Sequence, residues 1–166
     1  CGGDVLPEEV KERWRLRCGT PIYQVYGSTE VGHVCYSRIG EAPKPGTIGL
    51  PLSSRECVIV DPATLEPVAP GESGELLVSS PYTLKGYWNK PEANEDVFRN
   101  IEGKRFFLSG DIGHIDEEGF LVITDRIKDL IITSGGKNVA PQKIETVYAK
   151  DHFIEQFITI PLETRT

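Results

Sequence analysis

The stretch QVYGSTEVG, residues 24–32, decides how the chain is read. A β-prone run from Ile22 to Tyr26 is expected to form a strand that breaks at Gly27. Two hydroxyls, Ser28 and Thr29, follow, then the carboxylate of Glu30 and a second glycine, Gly32. A Tyr ring can stack on a purine, a Thr hydroxyl can donate to a phosphate oxygen, and Glu is a hard oxygen ligand for Mg²⁺. The plainer alternative is a turn with a buried Tyr and a solvated Glu. Five residues do not choose between the two, so the neighbouring stretches must.

FFLSGDIG (106–113) places Asp111 after a strand and a glycine turn. A carboxylate there can accept both hydroxyls of a ribose, as acidic residues do in dinucleotide sites; it can equally cap a turn. ITDRIKDLIITSGGKN (123–138) contains SGGK, which suggests a phosphate-binding loop. That reading fails, because G-x-x-x-x-G-K-[ST] needs Gly where Ile131 stands and Ser or Thr where Asn138 stands. Gly135 and Gly136 are read as a glycine hairpin or loop instead. In GELLVSSPYTLKGYWNKPE (74–92), Tyr82, Tyr87 and Trp88 are expected in the core. There is no G-x-S-x-G, and His33, His114 and His152 lack the spacing of a triad or a metal site.

The remaining elements follow from punctuation and period. PEEVKERWRL (7–16) opens on Pro and acids and ends on bases, which suits a helix dipole, with Val10 and Trp14 sharing a core-facing side. From 40 to 75 Pro and Gly recur around the β-rich runs ECVIV and GELLVS, which reads as a β-rich module. A short helix is expected from Pro91, a hairpin over 113–125 turning at Glu117–Gly119, and a strand over 129–133. A helix begins at Pro141 with Ile144 and Tyr148 on one face, and QFITI (156–160) reads as a last strand.

Hydrophobic content of 39% and charged content of 26% fit one globular core, or a core plus part of another. No apolar run approaches the roughly 18–20 residues of a membrane span. A net charge of −7 argues against a nucleic-acid surface, and it requires a phosphate ligand to bring Mg²⁺ or to meet local cations. Cys1, Cys18, Cys35 and Cys57 are far apart without a C-x-x-C pair, so zinc is not expected and reduced thiols in a cytoplasmic protein are. The chain has no Met and starts on Cys1, so it is expected to be a piece of a longer protein.

In this order and spacing, GG at 2–3 before a helix, YGSTE, GELLV…KGYW, SGDIG and DRIKD…GGKNVAPQKIE resemble the acyl-adenylate-forming (AMP-binding) superfamily. That superfamily includes the acyl-CoA synthetases and the nonribosomal-peptide adenylation domains. GKNVAPQKIE is most similar to long-chain fatty-acid–CoA ligases. The resemblance implies a mixed α/β, β-rich fold: residues 1–126 as the last part of a large domain (αβ layer plus β-barrel), and 127–166 as the hinge and start of an α+β lid. It implies a ligase that uses ATP and Mg²⁺ to form an acyl-adenylate and then a thioester with coenzyme A, leaving AMP.

Carried over residue by residue, the resemblance puts Gly2 and Gly3 near the adenine, Tyr26 and Gly27 against it, and Thr29 on the phosphate. Glu30 would bind Mg²⁺, Asp111 the ribose hydroxyls, and Arg126 the nucleotide. Lys128 matches the hinge, and Gly135 lies where the pantetheine arm of CoA passes. Thr29 and Glu30 are the residues expected to act in the chemistry. Ser109 replaces the family's usual Thr, which keeps the hydroxyl. The family's phosphate loop and lid lysine are not in the chain, so the piece alone is expected to be inactive. Peripheral membrane contact is compatible with a fatty-acid substrate. Two other readings stand beside this one: a ligase for aryl or amino acids, separated by pocket residues upstream, and a non-catalytic β-rich interaction module, separated by native length.

Overall fold

The computed structural model describes residues 6–132, 138–139, 141–148, 151, 153–154 and 156–160. Gly2, Gly3, Gly135 and Gly136 therefore lie outside the described residues. The fold is mixed α/β and strand-rich, as expected. Helix α1 (Glu8–Cys18) is followed by β1 (Val25–Ser28), β2 (Gly32–Tyr36), β3 (Leu50–Pro51), β4 (Glu56–Val60) and β5 (Gly74–Ser79). Then come α2 (Pro91–Val97), β6 (Phe98–Ile101), β7 (Lys104–Ile115) and β8 (Leu121–Arg126). A 3₁₀ turn (Ile127–Asp129), β9 (Ile131–Ile132), β10 (Asn138–Val139) and α3 (Pro141–Tyr148) complete the order.

Two sheets position the site. The smaller runs β1-β2-β3; the larger runs β4-β5-β7-β6, with β8 also on β7. Every strand pair in both is antiparallel. Residues alternate across a strand, so Leu76 and Val78 of β5 join one apolar cluster while Leu77 joins the other. The first cluster also holds Val31, Val34 and Cys35 from the small sheet's side, with Phe98, Phe107 and Leu121. This is why GELLVS is a continuous apolar run: Gly74–Val78 is buried throughout.

The twelve-residue β7 changes neighbours along its length. Its first part pairs β6, its last part pairs β8, and β5 runs along both. Between Leu77↔Leu108 and Glu75↔Ile112 the register shifts, so Ser109, Gly110 and Asp111 form a bulge. The hairpin into β8 turns where the sequence indicates. Asp116 Oδ1 accepts the N–H groups of Glu118 (3.0 Å) and Phe120 (2.8 Å), and Lys44 Nζ lies 2.8 Å from its Oδ2.

Several expectations change. Gly27 does not end the strand: β1 runs on to Ser28 through a bulge between Tyr26 and Gly27. A Cβ at Gly27 would overlap the Gly32 carbonyl, so the glycine serves close backbone approach, not a break. Val10 and Trp14 are 43% and 48% exposed, because no described element covers that face of α1 and none of its residues is buried. Tyr82 and Trp88 are not core residues either; Trp88 is 95% exposed. Asp129 belongs to the 3₁₀ turn, and the strand begins only at Ile131. Residues 156–160 form no strand. They are engaged by α3 side chains instead of a ladder: Thr159 N–H donates to Glu145 Oε1 at 2.8 Å, and Phe157 stacks on Tyr148 at 4.4 Å.

Candidate nucleotide site

A cavity of about 320 Å³ opens where β1 faces the bulge of β7 and the end of β8. That volume sits at the small end of small-molecule sites, roughly 300–1,000 Å³. Its lining includes Tyr26, Gly27, Glu30, Asp111 and Arg126, so the fold gathers five of the residues selected from sequence. Thr29 is exposed on the turn beside it, and Lys128 is exposed in the 3₁₀ turn; neither is among the described lining residues.

Asp111 is the centre of the arrangement, only 7% exposed. The bulge that aims it is closed by three hydrogen bonds. The Ser109 hydroxyl donates to the Leu76 carbonyl at 2.7 Å and accepts the Asp111 N–H at 3.0 Å. The Gly110 N–H donates to Glu75 Oε1 at 3.0 Å. Position 109 thus needs one atom that both donates and accepts, which Ser or Thr supplies. Gly110 has φ +70°, the left-handed region that favours glycine. The glycine turn inferred from sequence is this bulge within β7.

Two neighbours hold the Asp111 carboxylate. The Tyr26 hydroxyl donates to Oδ2 at 2.6 Å, and Arg126 Nε lies 3.2 Å from Oδ1. The second contact follows from register, because Asp111 and Arg126 are directly opposite across β7 and β8. Burial, and then the charge of Asp111, push the Tyr26 phenol well above its ordinary value. It therefore stays protonated and remains a donor.

Glu30 stands on the turn between β1 and β2. Burial alone would raise its pKa, but hydrogen bonds from Tyr87, Ser28 and its own backbone together hold the carboxyl below the ordinary value. It is ionised at neutral pH. Among the described residues no cluster of three or more His, Cys, Asp or Glu could cage a metal. One carboxylate fits Mg²⁺ nonetheless, since that ion commonly takes one or two protein carboxylates and completes its shell with water and substrate phosphates.

Three further acidic or hydroxyl groups escaped the sequence reading. Glu75 is buried behind the bulge; burial foremost, and the Asp111 charge, raise its pKa despite the bond from Gly110. Its signal was a carboxylate inside an apolar strand. Asp125 is 2% exposed and lines the cavity, with Oδ1 accepting the Arg126 N–H at 2.8 Å. Alternation from Leu121 and Ile123 puts it on the inward face, which could have been read. Tyr87, expected in the core, donates its hydroxyl to Glu30 Oε1 at 2.7 Å. The lining thus carries Glu30, Asp111 and Asp125 against Arg126, so a phosphate ligand needs an added cation.

Comparison with known proteins shows what the chain is similar to. A family model described as "AMP-binding enzyme" matches residues 1–88. The long-chain-fatty-acid–CoA ligase of Bacillus subtilis is 38% identical over 158 residues, 95% of this chain and 27% of that protein. The 2-succinylbenzoate–CoA ligase of Geobacillus kaustophilus is also 38% identical, over 99% of this chain and 32% of its own length. The solved structure of O-succinylbenzoate coenzyme A synthetase from Bacillus subtilis, in complex with ATP and magnesium ion, superposes with a TM-score of 0.73. It is 37% identical over 89% of this chain and 30% of the other. The chain therefore spans about a third or less of the proteins it matches. Among the described residues no helix is long and apolar enough to cross a membrane.

Proposed function

The chain belongs to the AMP-binding enzyme family, and we propose that it is part of an acid–CoA ligase that works through an acyl-adenylate. The observation that carries this reading is Asp111, fixed on a bulge between Tyr26 and Arg126, in one cavity with Glu30. A held carboxylate suits the vicinal hydroxyls of a ribose. Glu30 suits the cation that a phosphate needs in so acidic a lining.

In the proposed reaction the substrate carboxylate attacks the α-phosphorus of ATP and pyrophosphate leaves. The CoA thiolate then attacks the acyl-adenylate carbonyl, and AMP leaves with the thioester formed. Tyr26 borders the base, Asp111 accepts the ribose hydroxyls, Thr29 donates to phosphate and Arg126 contacts the nucleotide. Glu30 holds Mg²⁺, which when bound neutralises phosphate charge. Residues 1–126 belong to the large domain, and the lid begins at 127 and turns about Lys128. An exposed 3₁₀ turn between two strands supports a pivot there.

The acid is proposed to be a fatty acid, on the likeness of GKNVAPQKIE and the Bacillus subtilis ligase. The equally similar 2-succinylbenzoate ligase is the competing precedent. The test is ATP–pyrophosphate exchange by the full-length protein on medium- and long-chain fatty acids, aryl acids and amino acids. Exchange and CoA-dependent thioester formation are expected with fatty acids. Turnover confined to aryl or amino acids would reassign the substrate, and no exchange with any acid would remove the ligase reading.

A further inference from the structure

The strap between β5 and α2, residues 80–90, grips the turn that carries Glu30. The Ser80 hydroxyl donates to the Val31 carbonyl at 3.0 Å, and the Leu84 N–H to the Glu30 carbonyl at 2.6 Å. The third contact reaches the side chain, where the Tyr87 hydroxyl donates to Glu30 Oε1 at 2.7 Å. Tyr87 is itself fixed. Its N–H donates to Asn94 Oδ1 at 2.6 Å, and its carbonyl accepts from Asn94 Nδ2 at 3.0 Å. Its ring lies against Phe98, centroids 6.1 Å apart.

A glutamate on a turn has three rotatable side-chain bonds and is costly to order. Here the backbone of residue 30 and one oxygen of its carboxylate are both held by one strap, and the strap is locked to α2. We propose that Tyr87 is the positioning residue for Glu30, selecting the rotamer in which Oε2 is presented to the divalent cation of the nucleotide. The proposal rests on the reading of Glu30 as the magnesium ligand. Partners that orient metal-binding carboxylates typically change metal affinity about 10- to 100-fold when removed.

The test measures ATP affinity of the full-length protein by calorimetry across a Mg²⁺ titration, so turnover is not needed. Tyr87→Phe keeps the ring against Phe98 and removes only the donor. It should raise the half-saturating Mg²⁺ concentration about 10- to 100-fold, leaving ATP affinity in EDTA near wild type even where the lost hydrogen bond lowers the thermal midpoint. Glu30→Gln should shift the Mg²⁺ response at least as far, and adding Tyr87→Phe to it should change nothing further. Incorporation of 4-aminophenylalanine at position 87 restores a donor and should restore the wild-type response. A shift with Glu30→Gln but none with Tyr87→Phe would overturn the role of Tyr87 and leave Glu30 in place. No shift with Glu30→Gln would remove the metal-ligand reading and this proposal with it. Fully additive effects, or no recovery with the amino analogue, would place the action of Tyr87 elsewhere.

Discussion

The Tyr26 hydroxyl donates to Asp111 Oδ2 at 2.6 Å, joining β1 of the small sheet to β7 of the large one. Both residues line the cavity, and the bond orients the carboxylate that the proposed nucleotide site depends on. A hydrogen bond to a charged group is worth about 1.5–3 kcal/mol. Tyr26→Phe should therefore lower unfolding stability by about that amount and weaken ATP binding while keeping the ring. Urea unfolding and calorimetry on the full-length variant measure both. An unchanged midpoint and ATP affinity would make the bond incidental.

The bulge makes a separate prediction. Gly110 sits at φ +70° with open space where a Cβ would lie, so Gly110→Ala costs backbone strain only, about 1–2 kcal/mol. The protein should fold, and ATP binding should fall because Asp111 is re-aimed. Gly27→Ala meets the Gly32 carbonyl and should be worse for stability. Comparing the two thermal midpoints checks the order.

Glu75 contributes to the pH dependence of stability. Its folded pKa lies above the ordinary 4.5, through burial first and the Asp111 charge, with Gly110 and Arg99 opposing. The folded state therefore holds its proton more tightly than the unfolded chain. Its contribution is fully present below the unfolded pKa and is lost as pH rises through the folded one. Glu75→Gln keeps an oxygen for the Gly110 N–H and removes the titration. Denaturant midpoints against pH should fall less steeply for Glu75→Gln from about pH 4.5 upward. Parallel profiles would assign the pH dependence to other groups.

Lys128→Pro tests the proposed pivot. Proline fixes φ near −65° and removes the backbone N–H, whereas a hinge must change its dihedrals. Pyrophosphate release should survive better than acyl-CoA formation in the full-length protein. Equal losses in both steps would indicate misfolding, and full activity in both would move the pivot elsewhere.

Much of the fold was legible because the signals were local. β-rich runs bounded by turn residues marked β4, β5 and the β7–β8 hairpin, and Pro91 and Pro141 opened their helices. The errors arose where the outcome depends on a distant partner. Whether Val10 and Trp14 are buried depends on what covers α1, and whether 156–160 pairs depends on a free strand edge. The bulge at Ser109–Asp111 needs β5 to define it, so the local sequence read as a turn. In the site, Tyr26, Glu30, Asp111 and Arg126 could be chosen by chemistry and family likeness. Their convergence, and the supporting roles of Glu75 and Tyr87, depend on pairing across more than thirty residues, with 35 between Glu75 and Gly110 and 57 between Glu30 and Tyr87.

The most direct test of the proposed nucleotide site is the affinity of the full-length protein for ATP, measured by calorimetry with Asp111→Ala beside wild type. A methyl group accepts no hydrogen bond from ribose, and loss of even one charge-assisted bond corresponds to roughly 10- to 150-fold in affinity. The predicted result is a loss of ATP affinity in that range, with fatty-acid affinity little changed and the far-UV circular dichroism of the folded protein retained. An ATP affinity equal to wild type in a folded variant would contradict the account and return Asp111 to a purely structural role.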